Sequence, residues 1–496
     1  QWNRYEGDIF APLGKLQPGV VIWIENKSET RADSLRAGSF AFTDLKPYLR
    51  TRGTKALQSE LSVNYRFDRE WLDGLMRDKS EAWTATWQIS YRPRPNINLQ
   101  NTTSWRRLDV RDSAFAATGL DNARTLNANL QATLSDKKRI IYTNLVYEAS
   151  AEQVARREIR YIEVNPGQGE YVWLDSLYNN DGIQDIEEFQ VANNPLTANF
   201  LRIVAPTREL FPATRLSATG NLVIDLRKAL PESKNPWREI LRNFRSVSNL
   251  RLTQNRNRGE NTVYLINFFN PLGDTSLLDA SYSLRQDFGF FQNSPKGDLR
   301  FSFADIQSRL FLTTGDELRR NQGVTFSQRL NLSDARSLEA DTRLGQKSTF
   351  AELFPARNFD IRSIETKPRI NFQFNRKLRL TAGYEYLFRQ NRLPDGNPDA
   401  FVHIHKVVAD ARWNIRDRNN IFTRLELVHL RQSGLPGFSA EYELREGLQP
   451  GANAIIRIFA TWYVLSNVEL SATYEGRITG KTPPIHTGRL QVRALF

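Results

Sequence analysis

Apolar and polar residues alternate along the last thirty residues of the chain, and this period of two constrains the fold more than any other feature. From Val468 to Ile478 every second residue is apolar or small, and the residues between them are Glu469, Ser471, Thr473, Glu475 and Arg477. The alternation returns from Thr487 to Phe496 after a short polar turn. Because successive side chains of a β-strand point to opposite faces, each segment predicts a strand with one apolar and one ionic face.

The same alternation recurs through most of the chain. From Gln58 onward it predicts about 18 strands of ~9–13 residues, a length that crosses a bilayer at a tilt. Examples are Leu61–Phe67, Trp83–Tyr91, Leu126–Leu134, Leu338–Leu344, Leu378–Phe388 and Ala454–Val464. Residues 1–57 are interrupted by Pro12, Pro18 and Pro47. They predict an N-terminal segment that supplies one or two extra strands.

Short polar turns alternate with long connections. The short ones include Arg92–Asn96, Ser135–Arg139, Ser333–Arg336, Asn375–Lys377 and Leu465–Asn467. The long ones include Asp68–Glu81, Asp109–Arg124, Ser150–Pro212, Lys347–Asp360, Asn391–Ala400 and Gln432–Gly451. Arg227–Arg245 is an exception, because it is a long connection at a place where the alternation predicts a short turn. The spacing of Trp237, Ile240, Leu241 and Phe244 predicts a small helix in it.

A terminal strand that closes on Phe496 resembles the last strand of a Gram-negative outer-membrane β-barrel. Alternating turn lengths agree with that family, in which periplasmic turns are short and extracellular loops are long. Only a closed sheet satisfies all backbone hydrogen bonds in lipid. The expected fold is therefore all-β, with a single large antiparallel transmembrane β-barrel of roughly 16–20 strands. The alternative is a soluble all-β protein with many strands.

The resemblance also divides the chain and places it in the cell. It implies a barrel over residues 58–496, with 150–212 as a long extracellular loop or subdomain and 227–245 as a periplasmic connection. The expected location is the bacterial outer membrane, with the long loops at the cell surface. Outer-membrane lipid and lipopolysaccharide are the partners that this location implies.

Composition excludes several other classes. The chain of 496 residues is 40% hydrophobic, and no apolar run approaches the ~18 residues of a membrane-spanning helix. It has no cysteine, so disulfides and thiolate metal sites are impossible. The net charge of +13 is spread along the whole sequence without a basic helix, which predicts that the chain does not bind nucleic acid.

The sharpest local motif is Asp175–Phe189, in the longest connection. Counted back from Gly182, it resembles the acidic calcium loops of EF-hand, dockerin and thrombospondin type 3 repeats. A hard cation requires several oxygens from one tight loop, and glycine permits the turn that brings them together. The candidate calcium ligands are Asp175, Asn179, Asp181, Asp185 and Glu188.

The motif departs from those loops at its first position, where Leu177 stands and Asp175 comes two residues too early. Either a two-residue insertion lets Asp175 reach the ion, or one ligand is missing and the affinity is poor. The alternative is an Asn-Asn-Asp-Gly turn with a solvated acidic tail. In each case the segment orders a surface loop rather than performing catalysis, and no other cofactor is expected.

Catalytic groups are scarce, so we do not expect an enzyme. His403 and His405 share one face of a predicted strand, and no third metal ligand is evident nearby. A position near the membrane interface explains this pair better than a metal site. The sequence contains no phosphate-binding glycine loop, and the predicted topology assembles no Ser/His/Asp group.

Two functional classes remain. The preferred one is a scaffold or channel subunit of a cell-surface or outer-membrane complex, with protein partners in the envelope. The alternative is a stand-alone pore or transporter for small solutes, with anions as one candidate class. Arginines alternate with carboxylates on the predicted polar faces, which indicates either mixed ionic ladders between strands or a wall that favours anions.

Overall fold

The computed structural model describes most of the chain. The described residues are 1–31, 34–35, 38–52, 56–117, 122–192, 198–257, 266, 268, 270–292, 294–393, 400–416, 419–434, 438–465, 467–480 and 483–494. Phe496, which carries the resemblance of the terminal strand, lies outside the described residues, and the last strand is described to Ala494.

The chain folds almost entirely into strands. The strands of the first half are β1 (Trp2–Phe10), β2 (Leu16–Lys27), β3 (Thr30–Arg31), β4 (Ser34–Leu35), β5 (Phe40–Thr51), β6 (Leu57–Leu72), β7 (Leu75–Arg94), β8 (Ile97–Val110), β9 (Ala123–Ser135), β10 (Ile141–Glu163), β11 (Tyr171–Trp173), β12 (Phe189–Val191) and β13 (Phe200–Asp225). Those of the second half are β14 (Phe244–Asn257), β15 (Leu277–Phe290), β16 (Gly297–Leu312), β17 (Gly315–Ser333), β18 (Arg336–Ala351), β19 (Phe359–Gln373), β20 (Leu378–Asn391), β21 (Phe401–Arg416), β22 (Asn419–Ser433), β23 (Gly451–Leu465), β24 (Val468–Thr479) and β25 (Ile485–Ala494).

Helices occur in the connections. The described helices are α1 (Ser113–Ala116), α2 (Pro236–Arg242) and α3 (Phe438–Arg445), with 3₁₀ turns at Asp175–Leu177, Ile186–Glu188, Leu226–Lys228 and Pro355–Arg357. The small helix expected within Arg227–Arg245 is α2, which begins after the N-cap Asn235. Among the described residues, no helix combines the length and apolar character needed to cross a membrane.

The prediction of an all-β antiparallel fold is confirmed, whereas the expected number of about 18 strands is not. Within the part of the chain that the structure describes, twenty-three strands form one hydrogen-bonded sheet, and β3 and β4 form a separate pair. The additional strands are β1, β2 and β5, which occupy the N-terminal segment, and the short β11 and β12.

The chain divides into two compact units. The first comprises Gln1–Val154, Phe211–Ile224 and Asn249–Leu278. In it, β1, β2, β5, β6, β7, β8 and β9 pair in that order, each antiparallel to the next, and β9 continues onto the first part of β10.

The second unit comprises Ala155–Leu210, Asp225–Ser248 and Asp279–Phe496. Each strand from β15 to β24 pairs antiparallel with the one that follows it. Arg157 of β10 pairs in parallel register with Leu312 of β16, and β11 pairs with β12 as a short hairpin.

The prediction of a long loop at Asp68–Glu81 is wrong. β6 and β7 continue through this segment and meet in a tight turn at Asp73 and Gly74, which have φ of 48° and 88°. The charges that suggested a loop are cross-strand ion pairs: Arg69 Nε lies 3.1 Å from Asp78 Oδ1, and Lys79 contacts Glu70. Opposite charges on neighbouring strands stabilise the sheet, so a polar stretch can remain extended.

Candidate functional sites: a charged strand face and an acidic loop

The strands of the second unit have two chemically distinct faces, and β18 shows both. Leu338 and Leu344 point to one side and Glu339, Asp341 and Arg343 to the other, because side chains alternate along a strand. We call the first side the apolar face and the second the charged face. Cross-strand pairing extends each face over the neighbouring strands.

Opposite charges stand next to one another on the charged face. Asp298, Arg329, Glu339 and Arg369 are successive cross-strand partners from β16 to β19, so the sign of the charge alternates from strand to strand. Asp341 with Lys367 and Arg343 with Glu365 are two further register partners of opposite charge on β18 and β19. The ion pairs formed in this region are Arg329 with Asp298, Arg369 with Asp341 and Lys367 with Glu365. Opposed unlike charges stabilise strand pairing, so this part of the face forms the ionic ladder that the sequence indicated.

A second ionic network lies on the charged face from β20 to β24. Arg424 is its centre, with Nε 2.6 Å from Glu426 Oε1, Nη1 3.5 Å from Asp410 Oδ2 and Nη2 3.8 Å from Glu385 Oε1. Arg457 links Glu426 (Nη1 to Oε1, 3.0 Å) to Glu475 (Nε to Oε2, 2.8 Å). Arg424 and Arg457 are therefore neutralised by carboxylates.

Exposure on the two faces is the reverse of that in a soluble sheet. Val324, Leu344 and Ile364 are cross-strand neighbours on the apolar face and are 44%, 55% and 44% exposed. On the charged face, Glu385 and Glu426 are each only 8% exposed. A soluble antiparallel sheet buries its apolar side and solvates its polar side, which is the opposite of the pattern in these strands.

The helix α3 folds back onto the charged face. Ala440 and Leu444 of α3, with Leu448 just after it, form a buried cluster with side chains of β19–β23. The strand residues of this cluster are Phe359, Ile361, Leu387, Val402, Ile404, Val428, Leu430 and Ile455. They share the face of Glu385 and Glu426, so one end of the charged face is apolar and is covered by a helix from the chain itself.

Ion pairs hold the end of the α3 segment. Arg389 Nη1 donates to the carbonyl of Glu443 at 3.0 Å, and its Nη2 lies 2.5 Å from Glu446 Oε1. Lys406 Nζ lies 2.7 Å from Glu446 Oε2. Burial of the carboxyl raises its pKa, but the charges of Arg389 and Lys406 outweigh burial and lower the pKa of Glu446 to about 2.

Acidification should therefore loosen the α3 segment. The pKa of Glu446 in the folded chain lies below its ordinary value of 4.5. Its ion pairs thus stabilise the segment fully above that value and lose their contribution as the pH falls towards 2. Pepsin cleavage within residues 438–448, measured from pH 5 to pH 2, should increase as the pH falls. Glu446→Gln should remove much of this pH dependence; an unchanged profile in the variant would assign the effect to other groups.

The prediction of a loop over Gln432–Gly451 is wrong where α3 forms. The signal was present, because Ala440, Leu444 and Leu448 recur every four residues and Glu441 precedes Arg445 by four. Glu441 and Arg445 form an ion pair in the structure. The partners Arg389 and Lys406 lie more than thirty residues away in the sequence, so no local pattern could identify them.

The acidic loop brings together three of the five predicted calcium ligands. Carboxylate oxygens of Asp175, Asp181 and Glu188 lie within 4.8 Å of one another. The 3₁₀ turn Asp175–Leu177 directs the Asp175 side chain towards the glycine turn, where Oδ2 accepts a hydrogen bond from the Gly182 amide at 3.0 Å. Leu177 is exposed instead. The aspartate that comes two residues early is therefore the one that joins the cluster.

Asn179 and Asp185 lie beside this cluster. Asn179 Nδ2 donates to Asp181 Oδ2 at 3.1 Å and to Asp185 Oδ2 at 3.4 Å. Asn180 and Gly182 have φ of 53° and 75°, so the residues on either side of Asp181 are left-handed and the segment folds back on itself. All five residues named from the sequence thus belong to one compact loop.

The histidines are paired with tyrosines. His403 Nδ1 lies 2.9 Å from the Tyr386 hydroxyl, and His405 Nδ1 lies 2.6 Å from the Tyr384 hydroxyl. Val402 and Ile404 belong to the cluster on the charged face, so both imidazoles are on the apolar face. Tyrosine and imidazole rings are therefore adjacent on this face, and the ring centroids of Tyr386 and His405 lie 5.2 Å apart.

Comparison with known proteins identifies no family. No protein-family model matches the sequence, and no curated protein matches it.

Some solved structures show a distant likeness. The FrpB iron transporter from Neisseria meningitidis is 10% identical, with a TM-score of 0.38 over 99% of this chain and 79% of that one. The copper transporter OprC is 10% identical, with a TM-score of 0.34 over 96% and 73%. OccK11 (OpdR) of Pseudomonas aeruginosa is 11% identical, with a TM-score of 0.33 over 89% and 96%. TM-scores below 0.5 establish neither the fold nor the activity of this chain.

Proposed function

We propose that this chain is a β-barrel of a bacterial outer membrane and acts as a pore or transporter for small solutes. The apolar face contacts lipid and lipopolysaccharide, and the charged face lines an aqueous interior. One observation carries the proposal: exposed leucine, isoleucine and valine on one side of the strands, and ion-paired carboxylates with little exposure on the other.

The energetics of the two faces support this placement. Burying apolar surface in hydrocarbon is favourable by roughly 25 cal/mol per Å², whereas the same surface left in water gains nothing. An unpaired charge in lipid costs several kcal/mol, so ionic ladders belong on the side that faces water. Backbone groups at the edges of an open sheet would also be unpaired in lipid, which favours closure.

A pore accounts for the architecture better than the scaffold that the sequence favoured. The N-terminal segment was expected to supply one or two extra strands, and its strands β1, β2 and β5 pair in order with β6 and the strands after it. The charged face of β19–β23 is covered by α3, a helix of the same chain. A channel that is narrowed by its own loop requires no partner protein.

Electrical recording in planar bilayers tests the proposal. The purified chain should give stable unitary current steps. A chain that is silent both with and without α3, and that retains stoichiometric partners through purification, would support the scaffold. A chain that is monodisperse in buffer without detergent would contradict the membrane location.

Two arginines on the charged face predict a preference for anions. Arg379 and Arg412 are direct cross-strand partners and both are exposed. Neither has a carboxylate partner within the part of the chain that the structure describes. Replacing both with glutamine should lower the ratio of anion to cation permeability by roughly two-fold or more, because fixed charges concentrate counter-ions in a confined space. The reversal potential in a KCl gradient measures this ratio.

Arg376 and Lys377 provide the matched control, because they place two positive charges in the exposed turn that precedes β20. Replacing both with glutamine removes the same charge from the turn and should change selectivity much less. Equal shifts of the reversal potential in the two double variants would indicate a diffuse effect of net charge. They would contradict a specific role of the arginine pair in the path of the ions.

A further inference from the structure

The acidic loop contains carboxylate oxygens that the protein itself does not satisfy. Glu188 is only 1% exposed, and its Oε2 accepts hydrogen bonds from Trp173 Nε1 at 2.7 Å and from the Asp185 amide at 3.3 Å. Its Oε1 is buried and has no donor among the described residues. Asp175 Oδ1 is also buried and has no donor among the described residues, although Asp175 Oδ2 accepts a hydrogen bond from the Gly182 amide.

Two orphaned oxygens in one cluster point to a ligand. A buried acceptor without a partner costs about 1–3 kcal/mol, and more when it is charged. Here Asp175 and Glu188 lie within 4.8 Å of a third carboxylate, Asp181, so repulsion adds to that cost. A cation between the three carboxylates removes both penalties.

We propose that Asp175, Asp181 and Glu188 bind a calcium ion. Carboxylate oxygens are the ligands of hard cations, and the cluster has no nitrogen or sulfur donor. Calcium accepts variable coordination by six to eight oxygens from a flexible loop, whereas magnesium requires near-ideal octahedral geometry and retains water. Carbonyl oxygens and water complete the shell. Calcium binding here does not require the chain to be a pore.

The bound ion connects the 3₁₀ turn Asp175–Leu177 to the 3₁₀ turn Ile186–Glu188. The second turn contacts Arg357 and lies next to β10. Glu188 ends the 3₁₀ turn Ile186–Glu188, and the Ile186 carbonyl accepts a hydrogen bond from Arg357 Nη2 at 3.1 Å. The same Nη2 donates to the Tyr161 hydroxyl at 2.9 Å, and the Tyr161 ring stacks on Phe189 with centroids 3.9 Å apart. Fixing Glu188 therefore positions Ile186 and Phe189 against Arg357 and β10.

Hydrogen exchange of the full chain in detergent micelles tests the site. Calcium chloride should slow exchange of the amides in residues 171–191 with a midpoint of about 10⁻⁴–10⁻³ M, the range of extracellular calcium modules. Peptides from β17 and β18 report on the rest of the chain and should not change. Glu188→Gln and Asp181→Asn should each raise the midpoint roughly tenfold or more. Asp181 is exposed, so its variant keeps the test valid if the Glu188 variant fails to fold.

Glu187→Gln is the matched control, because Glu187 is exposed next to Glu188 and is not part of the cluster. It removes the same charge and should keep the midpoint within about two-fold of that of the unchanged chain. Absence of protection by calcium would overturn the site. An equal rise of the calcium midpoint in the Glu187 variant would show a general attraction of cations. Equal protection of residues 171–191 by magnesium would overturn the assignment to calcium.

Discussion

Replacing Leu444 with aspartate should release α3 from the charged face and raise the ionic conductance of the chain several-fold. Leu444 has no exposed surface and lies in the cluster with Val402, Ile404, Val428 and Leu430. Truncating a buried leucine to alanine costs about 2–5 kcal/mol, and an unpaired carboxylate at the same place adds a desolvation cost. The ion pairs of Glu446 are too few to compensate. Unitary conductance in planar bilayers is the measurement.

Leu444→Met is the matched control for this change. Swaps that conserve volume in a core usually cost less than about 1.5 kcal/mol, so the methionine variant should keep α3 in place and the conductance unchanged. Protease cleavage within residues 438–448 should increase in the aspartate variant alone. Cleavage without a change in conductance would show that α3 leaves the face but does not restrict the ion path.

The period of two predicted the strands well because it depends only on local geometry. On β18, the alternation of Leu338 and Leu344 with Glu339 and Arg343 appears in the structure on opposite faces. The period does not indicate where a strand ends. Strands that continue with polar residues on both faces, as β6 and β7 do on either side of the turn at Asp73 and Gly74, have the composition of a loop. Their ends are therefore set by cross-strand ion pairs, which only the register reveals.

The sequence predicted the acidic loop better than the contacts of Glu446, because sequence spacing reports only on contacts between residues that are close in the chain. Asp175, Asp181 and Glu188 are within fourteen residues of one another, so their spacing indicated a cluster before the fold was known. The turn Asp175–Leu177 brings Asp175 into the cluster, and the sequence does not predict it because insertions have no characteristic spacing. Glu446 meets Arg389 and Lys406 only through the order of strands β20 and β21. Contacts of that kind require the tertiary fold.

Replacing Phe326 with arginine should destabilise the chain in a bilayer by about 2–4 kcal/mol, the cost of a cationic side chain at the lipid-facing midplane of a barrel. Phe326 is on the apolar face of β17, with its ring centroid 4.6 Å from that of Phe301. Its cross-strand neighbour on β18 is Thr342, whose hydroxyl forms a hydrogen bond with the hydroxyl of Thr366. An arginine here has no carboxylate opposite it. The free energy of folding into phospholipid vesicles, measured by urea titration, gives the change.

Ser327, the next residue, is the matched control, because it lies at the same depth on the opposite face of the strand. Its cross-strand partners are Asp341 on β18 and Arg300 on β16. Ser327→Arg therefore places the same guanidinium between a carboxylate and another guanidinium, so attraction and repulsion largely offset each other, and the folding free energy should change by less than about 1 kcal/mol. The difference between adjacent positions measures the difference between the media at the two faces. Equal costs would mean that both faces meet the same medium, and the membrane-spanning sheet would then be wrong. A larger cost at Ser327 would place the lipid on the charged side, which its ion-paired carboxylates make physically unfavourable.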